Sequence, residues 1–468
     1  MADIINNNRK NGITAAWVFM ALFLYCLAGG FSLMIPLLLV FYGWYLAMFR
    51  GVRVGRFLHL GLLLALLAAS GQAMMEYSHL SAKYIPTAGV AMLTMMLFND
   101  FQLAFSMSFI SSALLSLAIG LPLEGCLIMF MGGLTGAYIV RDARTRGKVL
   151  LAGVFAGTAQ AVAFFLAHPS FSNEVIYGGL RPLLLSGILS AAVVLVTLRI
   201  FESLFGELTH FSLLELSDSL TQPLLKRLAL EAPGTYHHSL VLSNLAGAAA
   251  DAIAANALLV RVGAYYHDIG KLVKPEYFNE NQMMIDNKHD ALEPSMSRLV
   301  ILNHVKEGVE IARKYKLSPR LIDFIQQHHG TSLIYYFYQK AITEDETDSV
   351  QEENYRYPGP KPQTKEAAII MLADSVEGAT RSLDEHTPAR ISDLVRKVVN
   401  NKFIDGQLDA CNLTLREIEA ISGVFSRELS AMYHARVKYP HAKKTNGHHS
   451  KSVGDQDHAD APEDQSSR

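Results

Sequence analysis

Hydrophobic patterning divides the chain at about residue 203. Before that point apolar residues run in long blocks, separated by short polar or basic clusters. After it they recur at spacings of three and four among charged positions. A bilayer-crossing helix needs roughly 20 mostly apolar residues. Blocks near 13–29, 31–49, 57–75, 85–98, 102–119, 123–140, 149–168 and 180–200 read as spans; some fall short of that length, 85–98 the most. Gly29-Gly30 predicts a tight turn between the first two. A signal peptide is the rival for the first block, but no small-residue cleavage site leading into a soluble domain supports it.

Basic residues orient these spans by the positive-inside rule. Arg9 and Lys10 precede the first, Arg50, Arg53 and Arg56 follow the second, and Arg141, Arg144, Arg146 and Lys148 follow the sixth. Eight crossings place all three clusters in the cytoplasm and return the chain there at Arg199. The expected order is a cytoplasmic N-terminus (1–12), a membrane region of seven to eight helices (13–203), a leucine-rich linker helix (204–230) and a helical domain (231–440). A polar tail (441–468) reads as disordered; its His448, His449 and His458 offer only adventitious metal contacts. Pro233-Gly234-Thr235 marks a break, with Thr235 as helix cap. Pro358, Pro360 and Pro362 make 343–363 an irregular surface excursion bordering the site. Alternating β-branched runs are missing, so the fold class is all-α: a polytopic transmembrane helical bundle followed by a cytoplasmic all-helical domain.

Composition removes several function classes. With 41 Lys and Arg against 43 Asp and Glu among 468 residues, the net charge of −2 gives no footprint for a nucleic-acid polymer. Cys26, Cys126 and Cys411 are too scattered for a disulfide framework or a zinc motif. In the membrane half, Asn99-Asp100 reads as a turn. Glu124, just after Pro122, suits a helix N-terminus. A transport pathway would need several more inward-facing charges.

The chemistry lies in the second half. His267-Asp268 can hold metal compactly, the imidazole binding one ion and the two-oxygen carboxylate bridging to another. The dipeptide alone is weak, and each further candidate has a bland alternative. His238 and His304 suit buried, hydrogen-bonded core histidines; His237 faces elsewhere. His328-His329 suits a polar helix end, and Lys271 a cation at a helix C-terminus, with Gly270 as the terminator. Asp374 interrupts an apolar helix, where a carboxylate is costly unless paired, protonated or bound to a cation. Metal binding explains all of them together. Five inward histidines and two aspartates suit two divalent ions, of Fe, Mn or Zn. Such a pair supports in-line phosphoryl chemistry. In this reading Asp268 bridges; His238, His267 and Asp374 complete one shell; His304, His328 and His329 complete the other; and Lys271 neutralises a phosphate oxygen.

These residues sit in longer matching segments: Leu228–Ser239 (LALEAPGTYHHS), Arg261–Lys271 (RVGAYYHDIGK), Lys274–Gln282 (KPEYFNENQ), Asn303–Gly308 (NHVKEG), Asp323–Gly330 (DFIQQHHG), Tyr355–Glu366 (YRYPGPKPQTKE) and Met371–Val376 (MLADSV). Through them the chain resembles the HD superfamily of metal-dependent phosphohydrolases. It most resembles the seven-transmembrane branch that hydrolyses cyclic di-AMP to the linear dinucleotide pApA. The resemblance implies a dinuclear ligand set at His238, His267, Asp268, His304, His328, His329 and Asp374, a cyclic-dinucleotide substrate and second-messenger signalling. It also implies a multi-pass location in a bacterial cytoplasmic membrane, and it leaves room for a homodimer. Two departures matter. Only Gly29-Gly30 stands where the family carries a large extracytoplasmic sensing domain. The GYP signature usual in the soluble cyclic di-GMP branch is missing, which favours adenine. The alternatives are a cyclic di-GMP or other nucleotide phosphohydrolase, and a membrane receptor that binds nucleotide without turnover.

Overall fold

The computed structural model describes residues 34–49, 54–77, 81–282, 287–344 and 350–434. The expected span at 13–29, the Gly29-Gly30 turn and the 441–468 tail lie outside them. The described residues form helices and no extended strand; the one β-bridge joins Leu333 and Arg356.

Seven apolar helices follow the predicted blocks: α1 (Met34–Phe49), α2 (Val54–Tyr77), α3 (Ala88–Phe98), α4 (Phe101–Ala118), α5 (Leu123–Val140), α6 (Arg146–Ala167) and α7 (Arg181–Phe205). Among the described residues, five helical stretches are long and apolar enough to cross a membrane; those around α1 and α3 are shorter. Every residue of α3 is buried, so this short helix is wrapped by its neighbours rather than by lipid. It ends at Asn99 in the left-handed conformation, and Asp100 caps α4 by accepting from the Leu103 amide. Glu124 falls in the first turn of α5, where it pairs with His168. Helices α6 and α7 meet through Gly153, Gly157 and Gly187. A Cβ on Gly187 would lie 2.3 Å from the Gly153 carbonyl oxygen and from the Gly157 nitrogen. Close backbone approach of this kind is how helices associate where lipid removes the hydrophobic drive. Their outer faces expose Leu150, Val154, Phe155, Val162, Leu185 and Ile188, an apolar surface that a bilayer would cover. The protein is a multi-pass membrane protein.

The expected single linker helix over 204–230 is instead two helices, α8 (His210–Ser217) and α9 (Pro223–Glu231). Asp218 breaks them apart by accepting from the Leu220 amide and the Thr221 hydroxyl, and Pro223 starts α9 at a position where its missing N–H costs nothing. Leu213, Leu224, Leu225 and Leu228 are buried in the core of the second half, so this segment belongs to that domain's packing. That core is built from α10 (Pro233–Ala252), α11 (Ala257–Tyr266), α12 (Pro294–Lys314) and α13 (Pro319–Gln327), then, past α14 (Tyr335–Glu344), whose Phe337 and Ala341 form a separate small cluster with Tyr355, from α15 (Lys365–Arg381), α16 (Pro388–Ile404) and α17 (Leu415–His434). Helix α15 runs through it, with Ala367 to Ala373 all buried.

The two halves meet at Glu207, just past the left-handed Gly206 that ends α7. Its carboxylate pairs with Arg56 of α2 at 3.4 Å and with Arg320 of α13 at 2.9 Å. A membrane helix is thereby tied to the helix whose far end carries His328 and His329.

Candidate metal centre

Three histidines are aimed by the same local device. A ring at a helix end or in a helix interior can donate from Nδ1 to a nearby carbonyl, leaving Nε2 to point inward. His267 donates to the Ala264 carbonyl at 2.8 Å and His328 to that of Ile325 at 2.9 Å; His304 donates to that of Ile301. His238 differs: its Nδ1 donates to the Glu377 carboxylate at 2.9 Å, and Arg381 holds Glu377 from behind. A carboxylate partner fixes the tautomer and strengthens the ring as a ligand more than a carbonyl does.

The inward nitrogens surround Asp268, which is 2% exposed. Its Oδ2 lies 3.2 Å from His267 Nε2 and 3.9 Å from His238 Nε2. Its Oδ1 lies 3.4 Å from His304 Nε2 and 3.5 Å from His328 Nε2. Asp374 Oδ1 stands 3.2 Å from His238 Nε2 and 4.0 Å from His267 Nε2. Its other oxygen is 3.8 Å from His329 Nδ1. Two groups of potential ligand atoms result, one of His238, His267 and Asp268 and one of Asp268, His304, His328 and His329, sharing Asp268. All seven residues expected to act together do meet in one place.

The donor chemistry fits cations. His304 and His328 Nε2 approach to 3.3 Å, and both rings have already given their Nδ1 proton to a carbonyl, so two lone pairs face each other. His267 Nε2 and Asp268 Oδ1 are buried with no hydrogen-bond partner. A buried polar atom left so is costly, and a shared cation satisfies it. Burial pushes the His304 ring down to about 4 and the His329 ring well below its ordinary value, which keeps both neutral and able to ligate. Burial also opposes a charge on His238, yet hydrogen bonds donated to Asp374 and Glu377 hold that ring up at about 10. Asp268 stays far below the usual carboxylate range despite burial, because His267 and Lys271 stabilise its charge.

Lys271 places its Nζ 2.7 Å from Asp268 Oδ2 and 2.7 Å from Glu280 Oε1. The cation expected for a phosphate oxygen is thus held between two protein carboxylates at the edge of the cluster. The expected helix terminator, Gly270, has a different reason to be glycine. Helix α11 stops earlier, and a Cβ on Gly270 would sit 1.8 Å from the His304 carbonyl oxygen, so the small residue lets α12 approach. Thr235 likewise caps nothing of its own: Pro233 opens α10, and the Thr235 amide donates to Asn281 Oδ1. His237 is exposed.

Four contributors escaped the sequence reading. Glu377 lies one helical turn past Asp374, a spacing that could have flagged it; Glu280 has no comparable signal. Tyr357 rises from the proline-rich excursion and stacks on His329 with ring centroids 4.2 Å apart, and Phe278 sets its edge against His304 at 5.8 Å.

An all-helical domain gathering an adjacent His-Asp pair with further histidines and a distant aspartate defines the HD class of hydrolase. Residues 235–379 match the HD domain model, and residues 22–209 match the model described as "7TM receptor with intracellular HD hydrolase". The chain belongs to this family of seven-transmembrane HD proteins. It is 40% identical over 380 residues to the cyclic-di-AMP phosphodiesterase PgpH of Bacillus subtilis (strain 168), covering 79% of this chain and 53% of the relative. Its identity to the protein of that name from Listeria monocytogenes serotype 1/2a (strain 10403S) is 39% over 364 residues, 76% of this chain and 50% of the relative. The crystal structure of the L. monocytogenes PgpH HD domain in complex with cyclic di-AMP is 49% identical, covers 47% of this chain and all of that one, and has a TM-score of 0.44. The chain spans about half the length of the curated relatives it matches.

Proposed function

We propose that the protein is a membrane-anchored phosphodiesterase that hydrolyses cyclic di-AMP to pApA, with its HD domain facing the cytoplasm of a bacterial cell. The observation that carries this reading is the division of Asp268: one oxygen faces His238 and His267, the other His304 and His328. A carboxylate so placed would serve two divalent ions, and the mixed imidazole and carboxylate donors suit Fe, Mn or Zn. When bound, such a pair supplies an activated water and the positive charge that phosphodiester cleavage needs.

The chain's own residues do the rest. His238, His267 and Asp374 close one side of the centre; His304, His328 and His329 close the other. Glu377 keeps His238 in its ligating tautomer. Tyr357, packed on His329, excludes water from that flank and holds the ring in place. Lys271 keeps Asp268 ionised and adds a fixed positive charge where a phosphate would arrive. The names of the B. subtilis and L. monocytogenes relatives support cyclic di-AMP as the substrate.

The test uses the purified full chain in detergent, supplied with Mn or Fe and incubated separately with cyclic di-AMP and cyclic di-GMP. Metal-dependent formation of pApA is expected. Turnover of cyclic di-GMP alone would transfer the assignment to the guanine substrate. Binding with no metal-dependent product would leave a receptor rather than an enzyme.

A further inference from the structure

The joint between the membrane bundle and the HD domain is connected to both halves of the metal centre. Glu207 is held on one side by Arg56, the third residue of α2, and on the other by Arg320, in the first turn of α13. Helix α13 runs on to Gln327, and His328 and His329 follow at once. A second arm starts from α7 itself. Its buried Glu202 accepts from the Thr209 hydroxyl, and Thr209 caps α8. At the other end of α8 the Leu216 carbonyl accepts from the Tyr266 hydroxyl at 2.8 Å. Tyr266 is fully buried, ends α11, and directly precedes His267 and Asp268.

One arm therefore carries His267 and Asp268, and the other carries His328, whose Nε2 stands 3.5 Å from Asp268 Oδ1. Between the arms lies a cavity of about 400 Å³, lined by Glu202, Glu207, Leu216, Gln222, Ser318 and Pro319. The arms flank this space rather than fill it, so one can shift against the other without displacing close-packed side chains. The membrane end has a reason to move. Helix α2 has 24 residues, a length of about 36 Å at 1.5 Å per residue, against a hydrocarbon core of roughly 30 Å. A helix longer than the core answers a change in bilayer thickness by tilting. A tilt of about 5° carries the Arg56 end through about 3 Å.

We infer that this joint is a mechanical link through which bilayer thickness sets the spacing of the two halves of the metal centre, with Arg56, Glu207 and Tyr266 as positioning residues. The inference rests on the phosphodiesterase reading above for its effect on turnover, and adds to that reading a form of regulation. Misplacing a reacting group by about 1 Å costs on the order of 100-fold in rate, so a small fraction of the movement at Arg56 is enough to govern the reaction.

The experiment places the full chain in nanodiscs of short-chain or of long-chain phosphatidylcholine. Two readouts are taken: kcat and KM of the Mn-loaded protein for cyclic di-AMP, and amide hydrogen exchange of the metal-free protein over 261–271 and 321–331. Wild-type kcat should differ at least about fivefold between the two bilayers, with KM and bound Mn unchanged, and exchange should differ over both segments. Arg56→Gln cuts the bridge to Glu207 and should lose both differences, while Arg56→Lys keeps the charge and should retain them. Tyr266→Phe removes only a hydroxyl; it should lose the difference over 261–271 and keep that over 321–331. A wild-type protein indifferent to the bilayer overturns the link, as does an Arg56→Gln protein that responds like the wild type. A fall of Mn content and Tm in step with kcat in Arg56→Gln overturns it too, by marking the bridge as a structural support. A native-like response over 261–271 in Tyr266→Phe removes the second arm. Bilayer-dependent exchange without turnover of cyclic di-AMP would leave the link standing and overturn the phosphodiesterase reading instead.

Discussion

Replacing Glu377 by Gln exchanges one carboxylate oxygen for an amino group and leaves the side chain's shape intact. In the native arrangement Glu377 accepts from His238 Nδ1 at 2.9 Å and from Arg381. The Gln amide has one acceptor, and Arg381, which can only donate, will take it. The amino group then faces His238 Nδ1, which must accept instead. The neutral ring that must ligate then keeps its one proton on Nε2, the atom 3.2 Å from Asp374 and the one meant for a cation. Loss of such a supporting carboxylate typically costs 10–100-fold in metal affinity, or about 1.4–2.7 kcal/mol. The effect should fall on one ion only, since His304 and His328 are oriented by backbone carbonyls that the substitution does not touch. Calorimetric titration of the metal-free protein with Mn should therefore resolve one weakened and one native-like site. Two unaltered sites, or two sites weakened equally, would refute the reasoning about the tautomer.

Further outcomes follow from the same geometry. Gly270→Ala places a methyl 1.8 Å from the His304 carbonyl oxygen, so α12 must shift and thermal stability and metal content should fall together, by several degrees in Tm or more. Lys271→Ala leaves Asp268 and Glu280 as buried carboxylates without their shared cation; kcat should drop at least 100-fold with KM little changed, as steady-state kinetics would reveal. For the metal-free protein, His304 is held down to about 4 in the fold against 6.5 when free, so the unfolded chain binds more protons between those values and stability falls as pH drops through that window. His238, held up at about 10, has the opposite sign: its contribution is complete below 6.5 and is lost as pH rises toward 10. Melting curves in chelator should show both flanks, with the acid flank shallower in His304→Gln.

Much of this architecture is written in periodicity. Apolar blocks translate directly into α1 to α7 because a spanning helix leaves little choice of residue, and Asp374 betrays itself by interrupting Ala367–Ala373. Where one residue's partner lies far along the chain, the pattern is silent. The split between α8 and α9 depends on Asp218 folding back on Leu220 and Thr221, a turn that leucine spacing conceals. Gly270 looks like a helix stop in one dimension, and only the approach of α12 shows that it is a clearance for the His304 backbone. Tyr357 lies in a segment that proline content marks as irregular, yet its ring is buried against His329. Orientation of each imidazole is likewise hidden, since it is set by which carbonyl or carboxylate meets Nδ1.

The most direct measurement is the metal stoichiometry of the purified protein, wild type against Asp268→Ala, by elemental mass spectrometry after loading with Mn and desalting. Two ions per wild-type chain are expected, with the variant losing one or both because each half of the centre shares that carboxylate. A variant that folds and still carries two ions would contradict the placement of Asp268 between them.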